Sequence, residues 1–354
     1  MTLRKRKILL FVSIAAFMAI TPAILLYTDG YRIGDDFKIT KTGGLYISSP
    51  LPGSDIFLDN KKIKQTNIIQ GGVFVQNLSP DSYSVLVAKE GFWPWAKTLD
   101  VKEQFVTEAR AFLLPENPTG EVILKGVFSS IWASPFNNIL LLEEKKTNSK
   151  RITFYLPKEK LFLTDSSSLT TQLLSFKNDL GDMFWQKDGV VLELDGQRIK
   201  ADFDLSKNTA SAGKILPSEF RPEENSPYFF ENESLAAKYV RVTASENQRI
   251  WWGPGTNEVW AEWLNNSPLP YYFKDKKALI IKTRSPIKNI DFLPQRRDIV
   301  VLGVENGVFA IEIDERGGRI LQPIYKGGSP TFAAFHNEKI IYVLDEGNLI
   351  KIEI

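Results

Sequence analysis

Residues 8–27, ILLFVSIAAFMAITPAILLY, run for 20 residues without a charged side chain. As a helix rising about 1.5 Å per residue, such a run is about 30 Å long, the thickness of a bilayer's hydrocarbon core. Pro22 is compatible with a span, because neighbouring groups relax around a kink. Tyr27 falls where interfacial aromatics gather. No other stretch approaches the roughly 18 apolar residues that a second crossing needs, which excludes a multi-pass transporter.

Charge sets the orientation. Arg4, Lys5, Arg6 and Lys7 precede the run, while Asp29, Arg32, Asp35, Asp36 and Lys38 follow it with no basic excess. The positive-inside rule places the N-terminus in the cytoplasm and residues 28–354 outside, as a single-pass cell-membrane protein. A cleaved signal peptide is the alternative. Its site would follow Ala23 with Thr21 at the small-residue position, leaving an apolar start at 24–27 and no Ala-x-Ala.

The body differs from its anchor in charge. The chain's net charge is +2, and the four basic residues before the run account for +4, so residues 28–354 carry −2. A near-neutral body argues against nucleic acid as a partner. There is no Cys, so thiolate metal sites, disulfides and Cys nucleophiles are excluded. The single His, His336, excludes any site that needs two.

After a polar linker at 28–42 the pattern turns to period 2. Leu45 and Ile47, Ile56 and Leu58, Val73 and Val75, and Tyr83, Val85 and Val87 alternate with their neighbours, and Phe112 and Leu114 close the series. Turn residues lie between, at Pro50 to Gly53, Asp59-Asn60, Gly71-Gly72 and Ser79 to Ser82. Five to seven short strands in about 70 residues predict a small antiparallel β-sandwich over 43–115. The segments GGLYISSPLPGSDIFLDNKKI and VQNLSPDSYSVLVAKEGFWPW resemble a PEGA domain through Gly44, Ser49, Gly53, Asp59, Leu78, Pro80, Tyr83, Lys89, Gly91, Phe92 and Trp95. Ser54, Asn60 and Asp81 depart from its Ala, Gly and Gly. Asn and Asp tolerate turn conformations with positive φ, so the departures are compatible with the fold. The resemblance implies an extracytoplasmic, surface-associated binding or spacer module, not an enzyme.

Residues 116–354 repeat a looser unit, an aromatic pair, a turn and a continuous apolar strand. The copies stand at 131–142, 183–194, 251–263, 290–304 and 332–344. Their strands begin at Ile139, Val190, Val259, Ile299 and Ile340, spaced by 51, 69, 40 and 41 residues. A period near 40 predicts a β-propeller-like body of about five or six blades, with a degenerate blade near 226–243 filling the long gap. An irregular pair of sandwiches is the alternative. Asn306-Gly307 suggests a type I′ hairpin, and Asp345 to Asn348 repeats the design. The units resemble blades of WD40-like or TolB-like propellers, without a recurring Trp-Asp or Ser-Pro-Asp-Gly signature. The whole chain is thus predicted to be all-β after one N-terminal transmembrane helix.

Catalytic motifs are absent: no Walker loop, Gly-x-Ser-x-Gly elbow, Rossmann fingerprint or HExxH stands in the sequence. Ser211 and Lys214 match Ser-x-x-Lys formally but lie in a small-residue stretch that suggests a flexible loop. His336 is expected to be a solvated turn residue, and the pairs Asp35-Asp36, Glu143-Glu144 and Glu223-Glu224 solvated loops. The aromatics leave two readings open. Trp93, Trp251, Trp252 and Trp263 are candidate ligand-facing rings, with Trp260 in the same cluster, yet strand aromatics commonly fill a core. No cofactor and no metal are expected. The favoured function is a non-enzymatic envelope scaffold whose partner is a protein or glycan. The alternatives are a periplasmic assembly factor and a glycan- or peptide-active hydrolase, which would place two carboxylates about 5–10 Å apart in the propeller channel.

Overall fold

The computed structural model describes residues 3–33, 39–136, 138–178, 180–216, 241–245, 247–252, 257–264 and 267–354. The first element is α1, Leu3–Thr28, with Pro22 inside it. Its apolar side chains stand exposed on every side, from Ile8 to Tyr27, which suits lipid rather than water. Asp29 N–H donates to Leu25 O at 3.0 Å, and Gly30 turns the chain away at φ 87°. Arg32 then reaches back: its Nη1 donates to Tyr27 O at 2.7 Å while the guanidinium lies 3.6 Å from the Tyr27 ring centroid. The segment expected to be a linker instead contains a short hairpin, Tyr31–Ile33 paired with Ile39–Lys41. Asp35 and Asp36 lie outside the described residues.

The chain divides into two compact units, one of residues 1–113 with 316–318 and one of residues 114–315 with 319–354. The small unit has two sheets after the hairpin. In one, Gly43–Ser48 lies between Gly72–Leu78 and Val106–Arg110. In the other the order is Lys61–Gln65, Asp55–Leu58, Ser82–Ala88, Trp95–Asp100. The strand Val106–Arg110 runs parallel to Gly43–Ser48, so the sheets are not wholly antiparallel. Phe112 and Leu114, expected in the last strand, follow it as buried irregular chain. Burial alternates along Trp95–Asp100 in every position, with Trp95, Lys97 and Leu99 inward. One buried face per strand gives that period of two. Asp59 and Asn60 both adopt positive φ, 46° and 65°, which makes a tight hairpin between strands paired at Leu58 and Lys61. Ser54, fully buried, donates to Leu51 O at 2.8 Å and lies 3.0 Å from Ser49 Oγ, so its hydroxyl is satisfied.

The larger unit holds five sheets among the described residues. Sheet 1 is Phe128–Ala133, Leu140–Lys145, Lys150–Leu156 and Leu161–Phe162, with Ser175–Phe176 added to the third strand. Sheet 2 is Leu180–Gln186, Gly189–Leu194, Gln197–Asp204 and Thr209–Lys214, joined by Thr164–Asp165. Sheet 3 is Arg241–Ser245, Gln248–Trp252, Glu258–Trp263 and Lys277–Lys282. Sheet 4 is Ile287–Leu293, Arg296–Val304, Gly307–Glu312 and Leu321–Lys326. Sheet 5 is Thr331–Phe335, Ile340–Asp345 and Asn348–Glu353, completed by Gly120–Lys125 from the start of the unit. Between sheets 1 and 2 the chain forms one short helix, Ser168–Leu173, capped by Ser167, which the sequence pattern did not announce.

The apolar strands are continuous because both faces are covered. Leu140 and Leu142 pack with Phe335 and Tyr342 of sheet 5, whereas Leu141 packs with Trp185 and Val190 of sheet 2. Sheets 3 and 4 share a third core around Trp252, Val259, Phe292 and Val300. A strand buried on both sides loses its alternation.

Two sequence expectations shift here. The copy at 251–263 lies on the second and third strands of sheet 3, while the other four lie on first and second strands. That change of phase helps to stretch the long spacing. Of the blade suspected near 226–243, residues 226–240 lie outside the described residues and 241–243 begin sheet 3. The hairpin at Asn306-Gly307 also differs. Val304 pairs with Gly307, so Glu305 and Asn306 form the turn, and neither has positive φ. Gly307 is needed for a different reason: a Cβ there would stand 2.5 Å from Tyr325 O. The matching turn in sheet 5, Glu346 at φ 49° and Gly347 at φ 76°, is of the left-handed kind expected.

Candidate functional site

The candidate aromatics separate by strand parity. In sheet 3, Ile250 and Trp252 belong to the core shared with sheet 4, joined by Val259, Ala261 and Trp263 from the next strand. The intervening residues Arg249, Trp251, Trp260 and Glu262 occupy the opposite face. Trp251 is 1% exposed and Trp252 4% exposed, so neither offers a ring to a ligand, and the expectation for both is corrected. Trp263 is half-buried and packs 6.2 Å from the Phe273 ring. Trp93 is half-buried in the small unit, next to Phe92, over which Lys89 Nζ lies at 5.0 Å. The structure brings Trp251 together with Trp260, but leaves Trp252 and Trp263 on the far side of the same sheet.

What remains on the other face of sheet 3 is an aromatic and ionic array. Trp251 and Trp260 are cross-strand partners, their rings stacked with centroids 6.5 Å apart and planes 17° from parallel. Lys277 Nζ lies 5.3 Å from the first centroid and 4.8 Å from the second, inside cation–π range. Arg249 donates from Nε and Nη2 to Glu262 Oε2 at 2.8 and 2.6 Å. Arg249, Glu262 and Lys277 pair across three adjacent strands in register. Trp260 and Glu262 are half-buried and Lys277 is exposed, so the array offers stacking and charge. Stacked rings and paired charges of this kind suit recognition.

The polar residues singled out by sequence take other roles. Ser211 and Lys214 lie on a paired strand, opposite Asp202 and Ile199, and not in a flexible loop. Three residues apart on a strand, their side chains leave opposite faces, which breaks the formal dyad. Glu143 is buried and accepts from Ser129 Oγ at 2.5 Å, with Lys150 Nζ 3.6 Å away, so it is not a solvated loop residue. Glu223 and Glu224 lie outside the described residues. His336 is not a free turn residue either: its Nε2 lies 3.1 Å from Asp291 Oδ1. That carboxylate, the largest influence, raises the imidazole's pKa above its ordinary value.

Asp345 was not anticipated. It is buried at the end of the second strand of sheet 5 and accepts from Tyr325 Oη at 3.0 Å, Gly328 N–H at 3.2 Å and Ser329 N–H at 3.0 Å. Burial and this carboxylate push the Tyr325 phenol up to about 12. Lys288 Nζ hydrogen-bonds Ser329 Oγ alongside, and burial lowers its pKa. The only sequence signal was the Gly327-Gly328-Ser329-Pro330 turn, which needs an acceptor for its backbone donors. Among the described residues no group of three or more His, Asp or Glu is arranged to hold a metal.

No protein-family model matches the chain. No curated protein matches it either. Among solved structures, similar ones include the Cps50 (Swd1) beta-propeller domain of Myceliophteria thermophila, 9% identical, covering 77% of this chain and 93% of that one at a TM-score of 0.33. YCF48 from Cyanidioschyzon merolae is 9% identical, with 65% and 96% covered and a TM-score of 0.35. Kluyveromyces lactis Hsv2 is 10% identical, with 85% and 70% covered and a TM-score of 0.22. The chain is mostly β, with one N-terminal apolar helix and propeller-like structural neighbours.

Proposed function

We propose that the chain is a non-enzymatic binding or scaffold protein, anchored by α1 and holding its β units on the outer side of a bacterial cell membrane. The observation that carries this is α1 itself. It is long and apolar enough to cross a bilayer, none of its apolar stretch is buried against the protein, and four basic residues stand at its start. An unburied helix of this composition is at home in lipid. The small unit serves as a PEGA-like β-sandwich spacer over 43–115. Asp59-Asn60 in left-handed conformation and a satisfied Ser54 hydroxyl support that reading, since both departures from the family pattern keep its turns. Residues 116–354 make a five-bladed propeller. Its support is the pairing of Gly120–Lys125 with Asn348–Glu353, by which the first strand completes the last sheet and ties the ends together. Recognition without chemistry agrees with buried carboxylates that are occupied by neighbouring donors. The partner is an envelope protein or glycan.

A reporter enzyme fused after Ile354 tests the anchor and its direction. It is expected to be active only in an extracytoplasmic compartment, and cytoplasmic activity sinks the orientation. Co-purification from detergent-solubilised envelope then asks what is bound. Degradation of glycan or peptide by the purified chain would replace the scaffold reading with the hydrolase.

A further inference from the structure

The small unit carries a strip of exposed apolar side chains on the outward face of its three-stranded sheet and, at Phe105, in the turn that leads into its strand Val106–Arg110. Phe105 is 68% exposed, Val106 54%, Phe74 46% and Tyr46 39%. The strip is continuous by register. Val106 stands beside Gly44, and Phe74 pairs with Tyr46. The rings lie over glycines: a Cβ on Gly44 would meet Phe74 at 2.7 Å, and one on Gly72 would meet the Tyr46 hydroxyl at 2.9 Å. Leu45 and Ile47, on the other face, are fully buried, so the strip is surplus to this unit's own core. Exposed apolar surface of this kind marks contact with something else.

Backbone hydrogen bonds say where the strip begins. Gly30 O, two residues beyond α1, accepts from Thr42 N–H at 2.9 Å. Thr42 O accepts from Gln104 N–H at 3.0 Å, and Phe105 O accepts from Gly44 N–H at 2.9 Å. Two such steps, each about one strand spacing of 4.8 Å, place the Phe105 turn roughly 10 Å from the end of α1. That is the depth of the headgroup layer and of its boundary with the acyl chains, where apolar groups of surface-bound segments lodge. The other end of the sheet lies far off. Ile68 and Ile69, 90% and 93% exposed, follow the strand Lys61–Gln65, and Gly71 O bonds Ser49 N–H at the distal end of Gly43–Ser48. Six residues of strand separate the two ends by about 20 Å.

We infer that Phe105 and Val106 insert into the outer interface of the membrane that α1 crosses, so that the small unit is seated on lipid as well as tethered to it. The inference rests on the anchor reading of α1. The occupant is lipid because the strip starts at the point where the chain leaves the bilayer. Asp29, Glu103, Arg32, Lys41 and Lys102 stand at the same end with mixed sign, so the contact is apolar and needs no anionic lipid.

The chain has no Cys, so single labels can be placed at will. Full-length Ser13→Cys, Phe105→Cys, Val106→Cys and Ile68→Cys variants would each carry an environment-sensitive fluorophore in phosphatidylcholine vesicles containing nitroxide lipid. The expected result is loss of emission by nitroxide quenching at 13, 105 and 106, with emission at 68 retained. Quenching at 13 without quenching at 105 and 106 overturns the seating and leaves the anchor standing. No quenching at 13 removes the anchor reading, and the seating with it. A blue-shifted but unquenched label at 105 means that protein covers the strip, and equal quenching at 68 and 105 means that the sheet lies differently. Either outcome overturns the inference. All four substituted positions are exposed, so folding is not at issue.

Discussion

The strand Trp95–Asp100 in the small unit and the strand Leu140–Lys145 in the larger one are both six residues long, yet their burial differs completely. The first alternates inward and outward at every position, while the first four residues of the second are all buried. The cause is the number of covered faces. A strand with one core shows period 2, and a strand between two cores shows an unbroken apolar run. Leu141 faces sheet 2 and Leu142 faces sheet 5, so neighbouring residues answer to different cores.

The largest test of that comparison is truncation at adjacent positions. Leu141→Ala and Leu142→Ala should each destabilise the larger unit by about 2–5 kcal/mol, since each empties a well-packed core. In the small unit, Leu99→Ala should cost a similar amount, but its exposed neighbour Thr98→Ala no more than about 0.5 kcal/mol. Thermal unfolding of the detergent-solubilised chain measures both. A mild Leu142→Ala beside a severe Leu141→Ala would mean that sheet 1 has a single core.

The same contrast explains what was legible in the sequence. Alternation at 45–47 and 85–87 and the apolar runs at 139–142, 190–192, 299–302 and 340–344 announced strands, and the uncharged run announced α1. The repeat phase was not legible at 251–263, because the aromatic pair Trp251-Trp252 occurs on a second strand there. The fate of the tryptophans was also hidden. Parity places Trp251 and Trp252 on opposite faces but does not say that both rings are buried. Asp345, Asp291 and Glu143 act on partners distant in sequence, and no local pattern announces such a contact.

Buried polar groups offer a second, smaller test. In the larger unit, Asp345→Ala removes the buried acceptor shared by Tyr325, Gly328 and Ser329, whose donors keep access to water, so each lost bond should cost about 0.5–1.5 kcal/mol. In the small unit, Ser54→Ala removes a hydroxyl whose acceptor, Leu51 O, keeps a bond from Thr66 Oγ1 at 2.8 Å. Its cost should stay near 1 kcal/mol. Urea unfolding of the two variants would show the ranking. If Ser54→Ala proved the more damaging, the small unit would depend on its polar network as much as on its apolar alternation.

The smallest effect is a dependence on pH, and it belongs to the larger unit alone because His336 is the chain's single His. His336 follows the first strand of sheet 5, and Asp291 belongs to the first strand of sheet 4. Their 3.1 Å contact therefore joins neighbouring sheets. Asp291 raises the imidazole pKa against the opposing influences of burial and Arg297. A raised folded pKa means that the folded chain holds the proton more tightly than the unfolded one. The stabilisation is thus complete below the unfolded value near 6.5 and is lost as pH rises through the higher folded value. With the ring 39% exposed, solvent and salt screen the pair, and a contribution of about 0.2–1 kcal/mol is expected. For a unit of this size that is at most about 2–4 °C in melting temperature. The wild-type chain should melt higher below pH 6.5 than above the folded pKa, with that difference shrinking in Asp291→Asn and in His336→Gln. The small unit has no His, so its own unfolding should respond far less to the change. Equal pH dependence in wild type and Asp291→Asn would show that the contact contributes nothing to holding sheets 4 and 5 together.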